Sequence, residues 1–116
     1  MTQTETLHAH RELCDAIYQC VFDENRFLRQ HQRAPEAALL EQKRTLLLQL
    51  DPILAALRAV PAASARDPGV RELLEGTRGR ILQILQLDKE NEQLLLRCSL
   101  AAARRPDAAP VPPSAM

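Results

Sequence analysis

Residues Arg80–Leu100 read RILQILQLDKENEQLLLRCSL. Ile81, Ile84, Leu85, Leu94, Leu95 and Cys98 recur at the three-and-four spacing of one helix face. Asp88 and Asn91 interrupt that face with polar groups that a purely apolar seam does not satisfy. Leu82, Leu96 and Leu100 form a second, smaller apolar line on another side. A helix with apolar surface on two sides meets two neighbours, or keeps one side for a partner. The near side is expected to pack on a helical hairpin made by residues 5–60, leaving the far end to bind something else.

The hairpin is read from two stripes. Leu7, Cys14, Val21 and Leu28 occupy one heptad core position, and His10, Ile17, Glu24 and His31 the other. After Ala34-Pro35, Leu40, Leu47 and Leu54 take one core position, with Lys43, Leu50 and Leu57 in the second. Folding the second stripe back on the first pairs Leu28 with Leu40, Glu24 with Lys43, Val21 with Leu47 and Ile17 with Leu50. Cys14 then meets Leu54, and His10 meets Leu57. One register serves every layer, and it brings Glu24 and Lys43, the charged core residues, into the same layer.

Local signals set the boundaries. Thr2-Gln3-Thr4-Glu5 fits a capping box. Pro35 disfavours helix at Ala34 but suits a first helical turn. Pro52 removes one backbone hydrogen bond, so a kink or weak turn is expected between Leu48 and Pro52. Val60-Pro61 through Arg66 reads as a loop, and Asp67-Pro68 as a cap followed by a first turn. Helices are thus expected over about 5–33, 35–60 and 67–104. The fold class is all-α: an antiparallel helical hairpin plus a long third helix, in a single bundle domain over residues 1–104. Residues 105–116, with four prolines, read as a disordered tail.

Gly76 and Gly79 leave two readings of the third helix open, since each glycine costs a helix about 1 kcal/mol relative to alanine. If the helix is continuous, residue 93 stands level with the hairpin turn. Leu94 to Arg104 then project past the bundle by roughly 16 Å at about 1.5 Å per residue. Leu94, Leu95, Leu96, Cys98 and Leu100 would form a docking surface there. If the helix breaks at the glycines and starts near Arg80, the same leucines are ordinary core.

Composition narrows the function classes. Aromatic residues are 3% of the 116, so the core is aliphatic, and three glycines with no alternating β-branched runs argue against strands. Fifteen basic residues balance 15 acidic ones, leaving no excess positive charge for a nucleic acid. No apolar run approaches the roughly 20 residues of a membrane span, so no membrane insertion is expected. The first 20 residues lack the basic start and apolar core of a secretory signal. Cys14, Cys20 and Cys98 read as reduced thiols in a cytoplasmic protein.

Catalytic and metal chemistry finds little support. Glu5-x-x-His8 is half of a di-iron pair without the other half. His10, Cys14 and Cys98 are a poor zinc set, because structural zinc takes four ligands in tight pairs. Ser64, Ser99 and Ser114 sit in a loop, a helix end and a tail, without a phosphate loop. No catalytic residue, metal or cofactor is expected, and the chain does not read as an enzyme. Glu24 and Lys43 read as a structural polar pair that sets register. Asp88 and Asn91 are either solvated at the seam's edge, the favoured reading, or reserved for polar groups of a partner.

Three phrases carry a family resemblance: FDENRFL (Phe22–Leu28), LLEQKRTLLLQL (Leu39–Leu50) and LDKENEQLLLRCSL (Leu87–Leu100). In order along residues 7–104, the chain resembles the FlgN family of flagellar export chaperones. The resemblance implies a cytosolic chaperone that holds the C-terminal helical segment of hook-associated (hook–filament junction) proteins. It would prevent their premature assembly and deliver them to the type III flagellar export apparatus. It also places substrate contacts on the last helix, here Leu94 to Leu100. A chaperone of this kind is expected as a monomer or weak homodimer. A structural coiled-coil subunit or adaptor, its leucines buried in a homo-oligomer, is the other reading.

Overall fold

The structure, a computed structural model, describes residues 2–104. Helices account for nearly all of them: α1 (Gln3–His31), α2 (Ala37–Leu47), α3 (Leu50–Arg58), α4 (Ala62–Ala65) and α5 (Pro68–Arg104). Among the described residues there is no strand, and no helix is long and apolar enough to cross a membrane. Met1 and the proline-rich tail at 105–116 lie outside the described residues.

Each helix end has a local cause. The Thr2 hydroxyl accepts from the Glu5 main-chain N–H at 3.1 Å, and the Glu5 carboxylate accepts from the Thr2 N–H at 3.4 Å. These reciprocal bonds satisfy donors that have no intrahelical acceptor, so α1 starts at Gln3 rather than residue 5. Gln32 adopts a left-handed conformation at φ 52° and donates to the Leu28 carbonyl, ending α1 at His31 rather than residue 33. The expected helix over 35–60 is two helices, because Pro52 cannot donate to the Leu48 carbonyl and its ring crowds that group. The chain turns at Leu48–Gln49, where Gln49 N–H bonds Leu46 O at 3.0 Å. The stretch read as a loop contains the single turn α4. Asp67 caps α5 through bonds from Gly69 N–H (2.8 Å) and Val70 N–H (3.3 Å).

Helix α5 runs unbroken through Gly76 and Gly79, so the reading in which it starts near Arg80 is set aside. Propensity losses of about 1 kcal/mol per glycine are small beside the packing along the flanking turns. The buried apolar side chains are Leu7, Cys14, Ile17, Val21 and Leu28 of α1, Leu50, Ile53 and Leu57 of α3, and Val70, Leu74, Ile81 and Ile84 of α5. Burying such a side chain is worth about 1.5–3 kcal/mol. In α2 the one buried side chain is Lys43.

α1 and α5 lie side by side in the same direction. Asp15 faces Arg80 at an offset of 65 residues, and Asn25 faces Glu90 and Asn91 at offsets of 65 and 66. A constant offset is the mark of a parallel pair. Arg80 reinforces it, reaching Asp15 at 2.9 Å while its guanidinium lies 4.5 Å from the centre of the Tyr18 ring. Thr4 and His8 lie beside Asp67–Leu73, so α5 begins level with the first turn of α1. This register corrects the expected overhang. Cys98, Ser99 and Ala102 lie beside Gln32–Ala34, so Leu94 to Cys98 flank the end of α1 instead of projecting beyond it.

Candidate docking site

A buried polar layer crosses the bundle at Glu24 and Asn25, about three-quarters of the way along α1. Glu24 and Asn91 are fully buried, and Asn25 and Lys43 nearly so. Each comes from a helix whose neighbouring layers are apolar, so its polar atoms must find partners within the protein. Lys43 Nζ lies 2.9 Å from Glu24 Oε1 and 2.9 Å from Asp88 Oδ1. Asn91 Nδ2 donates to the Val21 carbonyl at 2.9 Å and to Glu24 Oε1 at 3.1 Å. Asn25 Nδ2 donates to Asn91 Oδ1 at 2.9 Å and also to the Glu90 carboxylate. Arg29 closes the layer at the surface, donating to Asn25 Oδ1 at 3.0 Å and pairing with Glu90 at 2.8 Å.

This layer revises the reading of Asp88 and Asn91. Asp88 keeps only 14% of its side-chain exposure, and Asn91 keeps none, so neither is solvated at an edge. Asn91 is also corrected as a partner-binding residue, because its amide is spent on Val21, Glu24 and Asn25. Burial opposes the charge on Lys43, but hydrogen bonds to Glu24 and Asp88 outweigh it and raise its pKa above the ordinary 10.5. The Glu90 carboxyl is lowered below 4.5, first by its hydrogen bond with Arg29 and then by that with Asn25.

Beyond the polar layer, the α1–α5 seam opens into a groove of about 370 Å³ lined by Leu28, Arg29, Gln32, Leu94, Arg97, Cys98 and Ala101. Its floor is apolar, and two arginines stand at its rim. The opening exists because α1 stops at His31 while α5 continues to Arg104.

Against family models, curated proteins and solved structures, the chain matches none.

The docking residues expected from the sequence divide among several places. Leu94 and Cys98 line the groove, and Leu95 is half-buried outside it. Leu96 and Leu100 turn away from the bundle, 61% and 48% exposed. His10 and Cys14 are not brought near Cys98. Cys14 is level with Arg80 through Asp15, and eighteen helical residues carry the chain on to Cys98, a distance of about 27 Å. Glu5 is engaged in the α1 cap. Three members of the polar layer went unforeseen: Asn25, Arg29 and Glu90. Asn25 follows the stripe residue Glu24 directly and Glu90 precedes Asn91, so the periodic pattern excludes both. Only the offset between α1 and α5 would have disclosed them.

Proposed function

We propose that this chain is a flagellar export chaperone of the FlgN kind. It acts in the cytoplasm as an antiparallel helical hairpin with a long third helix. Its task is to hold the C-terminal amphipathic helix of a hook-associated protein until that protein reaches the export apparatus. The observation that carries the reading is the groove at the end of α1, with Leu28, Leu94, Cys98 and Ala101 beneath Arg29 and Arg97. An amphipathic helix laid there would bury its apolar face on those side chains. An acidic residue on its flank would meet the Arg97 guanidinium, since Arg29 already pairs with Glu90.

Covering the client's apolar stripe keeps it from self-associating before export. The task needs no bond to be made or broken, so binding geometry alone would carry it. The polar layer gives the groove a stiff base, because fully bonded buried groups hold α1, α2 and α5 in one register.

Co-purification with C-terminal segments of hook–filament junction proteins tests the reading. The intact chain is expected to retain such a segment, and Leu94→Asp or Cys98→Arg is expected to release it while circular dichroism stays unchanged. No retention of any junction-protein segment, or retention indifferent to both substitutions, would reject the assignment.

A further inference from the structure

The outer face of α5 carries apolar side chains that the chain itself leaves open. Leu82, Leu85, Leu96 and Leu100 are 61%, 49%, 61% and 48% exposed, and exposed Lys89 and Glu92 lie between them. The successive spacings along this line are three, four, three, four and four residues. Such spacing keeps one seam of a helix facing a partner helix. The flanking leucines also mirror one another about the midpoint, and the two central residues carry opposite charges: two leucines, a lysine, a glutamate, two leucines.

We propose that this face pairs with the same face of a second copy of the chain, the two α5 helices running antiparallel about a two-fold axis between Lys89 and Glu92. Leu85 then meets Leu96 of the second copy, Leu82 meets Leu100, and Lys89 meets Glu92 once on each side of the axis. An isologous interface needs a self-complementary patch, and this mirrored order supplies one. A parallel pairing would set lysine against lysine and glutamate against glutamate, so charge selects the antiparallel one. A partner of another kind would have no use for the mirror order. The groove-lining Leu94 and Cys98 face α1, so pairing leaves the groove open, and the inference does not depend on what the groove holds.

Charge reversal in the full chain, followed by analytical ultracentrifugation over a concentration series, tests the proposal. Lys89 and Glu92 are exposed, so substitutions there leave the bundle intact, which circular dichroism verifies. The unaltered chain is expected to dimerise. Lys89→Glu and Glu92→Lys, each alone, place like charges opposite each other twice and are expected to weaken association about tenfold. The double variant restores opposite charges and the original affinity. An equimolar mixture of the two single variants also dimerises, because the carboxylates of one chain meet the ammonium groups of the other. Leu85→Asp abolishes association. A chain that stays monomeric throughout, single variants that associate like the original, or a double variant as weak as the singles would overturn the proposal. So would a monomer whose outer leucines become protected only when a different protein is added.

Discussion

The Lys43 ammonium stands 2.9 Å from Asp88 Oδ1, joining α2 to α5 across the two intervening helices α3 and α4. The same ammonium holds Glu24 on α1. One cation thus ties three helices together, and the Glu24 carboxylate it holds is fully buried.

Lys43→Ala is therefore expected to cost about 3–5 kcal/mol, since it leaves Glu24 fully buried without a counter-charge. Asp88→Asn keeps an oxygen acceptor and leaves one carboxylate for Lys43, so its cost is expected near 1 kcal/mol. Urea denaturation of the two variants beside the parent checks the order. Equal losses would mean that Glu24 does not depend on its cation.

Stability at alkaline pH follows from the same contact. The folded pKa of Lys43 is raised above 10.5, so the folded state favours the proton. Its contribution is complete below pH 10.5 and is lost as pH rises through the folded value. Thermal melting followed from pH 8 to 12 is expected to show an alkaline decline that Lys43→Met reduces. Glu90 works in the opposite sense: its pKa is lowered below 4.5, so its contribution is lost as pH falls.

Thr77 is fully buried, and its hydroxyl has no partner among the described residues. Thr77→Val exchanges that hydroxyl for a methyl group of similar shape and is expected to stabilise the protein by about 1 kcal/mol. A rise in melting temperature without a change in denaturant slope would agree. A loss of stability would point to a hidden partner.

The glycines of α5 should differ in effect. A methyl group at Gly79 meets nothing within 4 Å, so Gly79→Ala is expected to gain about 1 kcal/mol from helix propensity. At Gly76 the same methyl runs into the Arg11 guanidinium, so Arg11 must swing away and the gain shrinks. Differential scanning calorimetry of both variants gives the comparison.

Thiol labelling reads the core and the groove separately. Burial, followed by the charge of Asp15, pushes the Cys14 thiol up to about 11, and the side chain has no exposure. Cys98 lies half-buried in the open groove. At pH 8 an alkylating reagent is expected to modify Cys98 well before Cys14, because reaction needs an accessible thiolate. Mass spectrometry of a time course decides, and equal rates would mean that the core opens freely.

The sequence by itself determined that the described chain is helical, that Thr2 and Glu5 form a capping box, where Pro52 interrupts the second stripe, and where Asp67 caps α5. These follow from periodicity, capping chemistry and proline's missing N–H, all of which act within a few residues. The meeting of Glu24 and Lys43 was also legible, because each is a lone charge among leucines and only one layer accepts both. The tertiary structure alone decided what surrounds Asp88 and Asn91 and how far α5 reaches past α1. Both depend on the 65-residue offset between two parallel helices, which the connection through α4 sets and no local pattern encodes. A shift of one helical turn in that offset would part the Asn91 amide from Val21, Glu24 and Asn25.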